Sequence, residues 1–166
     1  MNKVQQAVAA LLLLLFAVPS SAQVLMQPNI SVAQARKIID AIIAECSLPG
    51  DLVTVSVVVV DRAGQPVMAV RADTASPHNW ELAYRKAYTA RTFRRTTLDW
   101  AERTAEGDGR TGQRALTDVI PLGGGVPLML GDEAIGAIGV SGAVGGQEAD
   151  SACADVGAAV IAEDLE

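Results

Sequence analysis

The stretch Leu122-Gly-Gly-Gly-Val-Pro-Leu-Met-Leu-Gly-Asp-Glu-Ala-Ile-Gly-Ala-Ile-Gly-Val-Ser-Gly142 decides the fold of this chain. Two apolar runs, 126–130 and 134–140, flank Gly131-Asp132-Glu133, a pattern that predicts a β-hairpin. Glycine recurs at every third position in and after the second run, although glycine inside a strand weakens it. We therefore expect another backbone, a helix or a ligand to approach this surface closely. The run Gly123, Gly124 and Gly125 is expected to present backbone N–H groups to an anion.

Outside this hairpin, the sequence predicts a second hairpin and three helices. Hairpins make a sheet antiparallel, and three helices must cover it, so the predicted fold class is α+β. The expected elements are a helix from the N-cap Ser31 to about Pro49-Gly50, strands 53–60 (buried on both faces) and 66–71, a helix over 79–99, a surface loop over 104–118, the Gly-rich hairpin and a helix over 147–165.

The N-terminus has the pattern of a secretory signal peptide. Lys3 supplies a positive charge, residues 8–18 are apolar throughout, and Ser20-Ser21-Ala22 has the small residues of a cleavage site. We expect residues 1–22 to be removed, residues 23–166 to form one domain, and the protein to be periplasmic or secreted. The apolar run is too short to cross a bilayer, and no later segment is long and apolar enough, so no membrane span is expected.

The net charge and the motifs exclude several classes of function. A net charge of −6 makes nucleic acid a poor partner. The glycine run is not followed by the lysine of a P-loop, and Gly139-Val-Ser-Gly-Ala143 lacks the last glycine of a nucleophile elbow. No catalytic residue is predicted, and a binding protein is favoured over an enzyme.

Two cysteines, Cys46 and Cys153, remain in the mature chain. In an oxidising compartment they can form a disulfide; the alternative is two small buried hydrophobic side chains, one on each of two helices. Their spacing does not decide between the two. With one histidine and no Cys-x-x-Cys, the sequence does not predict a multi-ligand metal site.

The second predicted helix concentrates basic residues and begins just after the only histidine. The basic residues form either a solvated helix face or, with Arg71, a site for the carboxylates of a ligand. His78 either caps the helix or ligates haem iron, which requires one protein ligand. We predict a small anionic or planar, carboxylate-bearing ligand between the helix start and Gly123–Pro127, contacted by Arg71, Lys86 and His78. The basic residues of this helix are Arg85, Lys86, Arg91, Arg94 and Arg95.

Several motifs, in order along residues 31–165, together resemble the GlcG/HbpS-like haem-binding family, which also supplies the C-terminal domain of PduO-type proteins. These motifs are Val57-Val-Val-Val-Asp61, Gly64, Arg71-Ala-Asp73, Ala83-Tyr-Arg-Lys-Ala-Tyr-Thr-Ala90, Gly123-Gly-Gly-Val-Pro127, Gly136-Ala-Ile-Gly-Val-Ser-Gly142 and Ala149-Asp150 with Cys153-Ala154.

The resemblance implies a profilin-like α+β fold, with a central antiparallel sheet of about five strands flanked by helices. It also implies homo-oligomers, often octamers, that bind haem or, as the less favoured cofactor, a corrinoid. The function predicted on this basis is an exported, oligomeric protein for haem sensing or sequestration. The alternative is an enzyme or accessory protein that binds a small carboxylate in a pathway oxidising glycolate, alcohols or diols.

Overall fold

A computed structural model describes residues 23–50 and 52–165, and the predicted signal peptide lies outside the described residues. The described chain has four α-helices and four β-strands, which confirms the α+β class. The helices are α1 (Val32–Glu45), α2 (Asn79–Phe93), α3 (Thr97–Arg103) and α4 (Gln147–Ala159), and the strands are β1 (Ser56–Asp61), β2 (Pro66–Arg71), β3 (Gly125–Leu130) and β4 (Glu133–Ser141).

The strands form one antiparallel sheet in the order β2-β1-β4-β3. Both predicted hairpins, β1–β2 and β3–β4, are present, and β1 joins them by pairing with β4. In the middle of the sheet, Val58 lies between Ala69 of β2 and Gly139 of β4. The valine-rich strand β1 and the glycine-rich strand β4 therefore occupy the centre of the sheet.

The sheet contains four strands in the described part of the chain, rather than the five or so that the family resemblance implied. In the segment before β3, the N–H groups of Ile120 and Gly123 bond to helix side chains instead of to a strand. The Ile120 N–H donates to Thr89 Oγ1 at 2.9 Å, and the Gly123 N–H donates to Gln147 Oε1 at 2.8 Å. Side chains thus satisfy donors that a fifth strand would have used.

The helix predicted over 79–99 is in fact two helices. Arg94 adopts the left-handed conformation, with φ of 54°, and ends α2. Thr96 then starts α3, because its Oγ1 accepts a hydrogen bond from the Asp99 N–H. A strong N-cap two residues after the break makes a second helix more favourable than a longer first one.

Other boundaries also differ from the sequence prediction. The first helix, expected to reach about Pro49-Gly50, ends at Glu45. Residues 53–55 lie outside β1, where the Thr54 hydroxyl donates to the Gly142 carbonyl. The last helix ends at Ala159 and is followed by a short 3-10 helix, Ala162–Leu165; another, Thr111–Ala115, interrupts the predicted surface loop.

β1 is buried on both faces, as its run of valines predicts. Val57 and Val59 belong to a large core with isoleucines of α1 and residues of α4, whereas Val58 and Val60 pack with Ala83, Ala87 and Ala90 of α2. All four valines are fully buried. The sheet is therefore covered by α1 and α4 on one face and by α2 on the other.

Gly139 of β4 and Gly125 of β3 allow α2 to approach the sheet backbone. A Cβ atom added to Gly139 would lie 1.9 Å from the Ala83 carbonyl oxygen and 2.6 Å from the Ala87 nitrogen. One added to Gly125 would lie 2.4 Å from the Lys86 carbonyl oxygen. The sequence predicted that a backbone, a helix or a ligand would approach these glycines, and the structure shows that it is the helix α2. The small alanine side chains of α2 allow the same close contact from the helix.

Within residues 23–50 and 52–165, no helix has the length and apolarity needed to cross a membrane.

We expect Gly139→Ala to destabilise the fold, because the new methyl group meets helix backbone that cannot move independently. Overpacking of this kind lowers the free energy of unfolding by about 1–3 kcal/mol or more. Urea unfolding followed by circular dichroism measures the change. Gly109→Ala is the matched control, since a Cβ atom there meets nothing within 4 Å and φ is not positive. Equal stabilities for the two variants would contradict the close approach.

Candidate functional site

Two of the predicted site residues, Arg71 and His78, lie at the same end of the sheet. Ser56 of β1 pairs with Arg71 on one side and with Ser141 on the other. Two strand spacings, about 10 Å, therefore separate Arg71 from Ser141. The Asn79 side chain, next to His78 at the start of α2, is within 3.5 Å of the Ser141 hydroxyl. Arg71 and the start of α2 consequently flank one edge of the fold.

Both side chains are exposed and available to a ligand. His78 occupies the N-cap position of α2 but makes no capping hydrogen bond, and in the described part of the chain no residue bonds to its imidazole. The Arg71 guanidinium donates to the Ala75 carbonyl at 2.9 Å. No carboxylate among residues 23–50 and 52–165 forms an ion pair with it, so its charge is not neutralised locally.

Lys86 lies elsewhere, eight residues or about 12 Å further along α2. Its side chain is 2% exposed, and Nζ donates to Asp150 Oδ2 at 2.6 Å and to the Val140 carbonyl at 3.0 Å. Burial lowers the pKa of Lys86, while the hydrogen bond and charge of Asp150 act in the opposite direction. The ammonium group thus ties α2 to β4 and α4, with a protein carboxylate in the position where we expected a ligand.

The segment Gly123–Gly125 is buried next to Lys86. The Gly123 N–H donates to the Gln147 side-chain oxygen, and the Gly125 N–H donates to the Thr97 hydroxyl oxygen at 2.8 Å. A Cβ atom on Gly124 would lie 2.5 Å from the Val140 carbonyl oxygen. These glycines therefore serve close packing, and the structure separates them and Lys86 from Arg71 and His78.

The other basic residues of the second predicted helix differ in whether the described residues provide them with a partner. Arg85 donates to the Val119 carbonyl at 2.8 Å, and Arg95 pairs with Asp99 at 2.6 Å. Arg91 and Arg94 have no ion pair in the described part of the chain. The helix face is thus only partly neutralised by the chain itself.

A disulfide joins Cys46, at the end of α1, to Cys153 of α4, with the Cα atoms 6.1 Å apart. Beside it lies an open cleft of about 390 Å³, which we call the disulfide cleft. This volume falls within the range of small-molecule sites, about 300–1,000 Å³. Glu45 and Ser47 add polar groups to a largely apolar lining that includes Leu48, Ala143, Val144, Ala149, Ala152 and Val156.

The disulfide cleft begins just after β4, and the end of β4 also meets the start of α2. Its residue Ala143 follows Gly142, where an added Cβ atom would lie 2.4 Å from Asn79 Nδ2. Sequence reasoning missed the cleft, because small apolar residues from distant segments carry no motif. The two cysteines were the only signal that could have located it.

Among the described residues, no group of three or more histidine, cysteine, aspartate or glutamate side chains is arranged to hold a metal ion.

Comparison with known proteins places this geometry in a family. The model of the family described as "Haem degrading protein HbpS-like" matches residues 30–159. A Citrobacter freundii protein, described as an uncharacterized 15.0 kDa protein in the dhaT-dhaS intergenic region, is 31% identical over 116 residues, which are 69% of this chain and 80% of that protein.

Solved structures share both the fold and part of the sequence. A double mutant of Streptomyces reticuli HbpS is 29% identical, with a TM-score of 0.76 over 87% of this chain and 97% of its own. The Klebsiella pneumoniae protein ORFY is 26% identical, with a TM-score of 0.74 over the same shares. PduOC, solved as a haem complex, is 27% identical, with a TM-score of 0.71 over 80% of this chain and 94% of its own.

The buried pair of Lys86 and Asp150 generates a prediction about stability. Lys86→Met leaves the Asp150 carboxylate buried without a counter-charge, so we expect unfolding to become easier by about 3–5 kcal/mol. Adding Asp150→Asn to this variant is expected to restore part of the loss. Lys37→Met is the matched control, because the Lys37–Asp164 pair is exposed and contributes about 1 kcal/mol at most. Urea titration of the four proteins tests this, and a Lys86→Met variant as stable as wild type would contradict it.

Proposed function

The chain belongs to the HbpS-like family, and on that premise we propose that it binds haem or a related tetrapyrrole. The observation that carries the proposal is the family match over residues 30–159. Its likeness to PduOC, which was solved as a haem complex, supports the same ligand class. A corrinoid is the less favoured member of that class.

The residues at the His78 end of the sheet fit haem chemically. The porphyrin ring supplies four nitrogens to the iron, so the protein needs only one axial ligand, and His78 is the one histidine of the chain. Its imidazole is exposed and has no hydrogen-bonding partner in the described residues. Arg71, which has no acidic partner there, suits a propionate carboxylate. The haem iron would supply redox chemistry or oxygen chemistry when bound.

We place the apolar part of the ligand against the disulfide cleft. The cleft adjoins Asn79 through Gly142, and its lining is mostly apolar. It is open on one side, so a planar molecule larger than the cleft can lie partly within it. A cleft of this type holds the ring, while His78 and Arg71 provide the polar contacts.

We also propose that the protein is exported and forms a closed homo-oligomer, up to the octamer implied by the family resemblance. The signal-peptide pattern in residues 1–22 supports export to the periplasm or beyond. Val24, Leu25 and Met26 are 76–85% exposed in one copy of the chain. A contiguous apolar segment of this kind is normally covered by another molecule, and in a homo-oligomer that molecule is a second copy of the same chain.

A small carboxylate is the alternative ligand, because the unpaired Arg71 guanidinium suits any carboxylate. This would correspond to the enzyme or accessory protein of an oxidation pathway considered from the sequence. Haem titration distinguishes the two, since only the tetrapyrrole gives a Soret band.

We expect purified protein titrated with haem to develop a Soret band at stoichiometric saturation. His78→Ala should shift this band and weaken binding by at least about tenfold, because it removes the iron ligand. Arg71→Ala should weaken binding only about fivefold, because an exposed ion pair contributes about 1 kcal/mol. Arg36→Ala, an exposed substitution on α1, is the control and should leave the titration unchanged.

A further variant tests where the ring lies. Ala152→Trp fills the disulfide cleft and should reduce haem affinity without changing the position of the Soret band. Identical spectra and affinities for wild type, His78→Ala and Ala152→Trp would contradict the proposed site. Absence of a Soret band for wild type would contradict haem binding itself.

Export and assembly are measured on secreted protein. We expect its intact mass to correspond to a chain beginning at Gln23, and light scattering to give a multiple of that mass. A chain retaining all 166 residues would contradict export with cleavage. A monomer at micromolar concentration would contradict the assembly.

A further inference from the structure

A small pocket lies between the β1–β2 turn and the second half of α2. Its volume is about 230 Å³, and Gly64 of the turn, with φ of 78°, packs directly under the Tyr88 ring. A Cβ atom on Gly64 would lie 2.9 Å from Tyr88 Cδ2, so the turn is fixed against the helix. We call this the turn pocket; its lining residues are Arg62, Ala63, Gly64, Tyr88, Arg91 and Thr92.

Arg91 has an unsatisfied donor at this pocket. Among the described residues, its buried Nε atom has no hydrogen-bond partner, and no carboxylate lies within ion-pair distance of its guanidinium. Buried donors in native proteins almost always have an acceptor. The partial negative charge at the end of α2 favours a cation here but supplies no acceptor to Nε. The Arg91 guanidinium therefore keeps a donor that no described residue uses.

The nearby acidic groups are already engaged. Asp61 Oδ1 accepts the N–H groups of Ala63 and Gln65 at 2.8 and 2.9 Å, which closes the turn. Glu133 accepts a hydrogen bond from Arg62 Nη1 at 2.8 Å. The Arg62 guanidinium has further N–H donors beyond this bond.

The local positive charge also favours an anion in the turn pocket. Arg62, Arg91 and Arg94 cluster around the turn on a chain whose net charge is −6. Burial, followed by the like charges of Arg62 and Arg94, lowers the pKa of Arg91, and Asp61 opposes this only in part. A bound anion would relieve this repulsion through the guanidinium groups of Arg91 and Arg62.

We propose that the turn pocket binds a small oxyanion, a carboxylate or a phosphate group, between the guanidinium groups of Arg91 and Arg62. Guanidinium groups bind both kinds of oxyanion through paired N–H donors. Tyr88 and Thr92 line the same pocket. Arg91 is thirteen residues, or about 20 Å, along α2 from His78, so this site does not depend on haem binding.

Titration followed by NMR tests the proposal on the mature protein. The probes are inorganic phosphate and acetate, each compared with sodium chloride at equal ionic strength. We expect the Arg91 Nε–Hε resonance and the amides of Ala63 and Thr92 to shift and saturate with at least one oxyanion but not with chloride. Saturation with phosphate alone identifies a phosphate site, and saturation with acetate identifies a carboxylate site.

Variants separate a built site from general attraction to positive charge. Arg91→Gln should weaken oxyanion binding at least tenfold, and Arg91→Lys should also weaken it, because the ammonium group keeps the charge but loses the paired donors. Arg36→Gln, exposed on α1, should bind like wild type. Wild-type affinity in Arg91→Gln, shifts that do not saturate, or equal shifts with chloride would overturn the proposal. If Arg91→Gln fails to fold, an Arg91 Nε–Hε resonance in wild type that does not move with either oxyanion overturns it as well.

Discussion

The contact between the backbone of α2 and the centre of the sheet is the constraint on which the rest of the structure depends. Gly139 allows it from the sheet, and Ala83 and Ala87 allow it from the helix. Because no side chains separate the two backbones, the helix has little freedom to slide or rotate. Its ends are therefore placed by its centre: His78 at the edge where Arg71 ends β2, and Arg91 beside the β1–β2 turn.

The buried pair of Lys86 and Asp150 fixes this contact in a second way. Apolar packing tolerates small displacements, whereas a charge buried against one carboxylate and one carbonyl is stable only in one arrangement. Asp150 also accepts a hydrogen bond from the Ala143 N–H at 2.9 Å. The same carboxylate therefore fixes Ala143, which lines the disulfide cleft. The interior of the fold thus determines the position of residues on the proposed binding surface.

Sequence patterns predicted the elements whose signals are periodic, and missed features that depend on tertiary contacts. The valines of β1 and the glycine spacing of β4 indicated a buried strand and a close approach, and both are present. The break at Arg94 was missed, because an arginine carries no signal for the left-handed conformation. Lys86 was predicted to contact a ligand, but in the structure it bonds to Asp150. The pattern of one helix does not reveal that an aspartate 64 residues later in the chain lies against it. The disulfide cleft was missed for the same reason.

The distribution of paired and unpaired cations links this architecture to function. In an acidic chain, a cation near the surface readily finds a carboxylate, as Arg62, Arg95 and Lys37 do. Arg71 and Arg91 have none in the described residues, although nineteen acidic residues are available in the sequence. An unpaired guanidinium keeps its donors available to a ligand, and Arg71 and Arg91 differ from the equally unpaired Arg36 in their places, at the His78 end of the sheet and in the turn pocket. Arg71 ends β2, whereas Arg91 lies beside the β1–β2 turn at the opposite end of that strand, so the two proposed anions bind at separate sites.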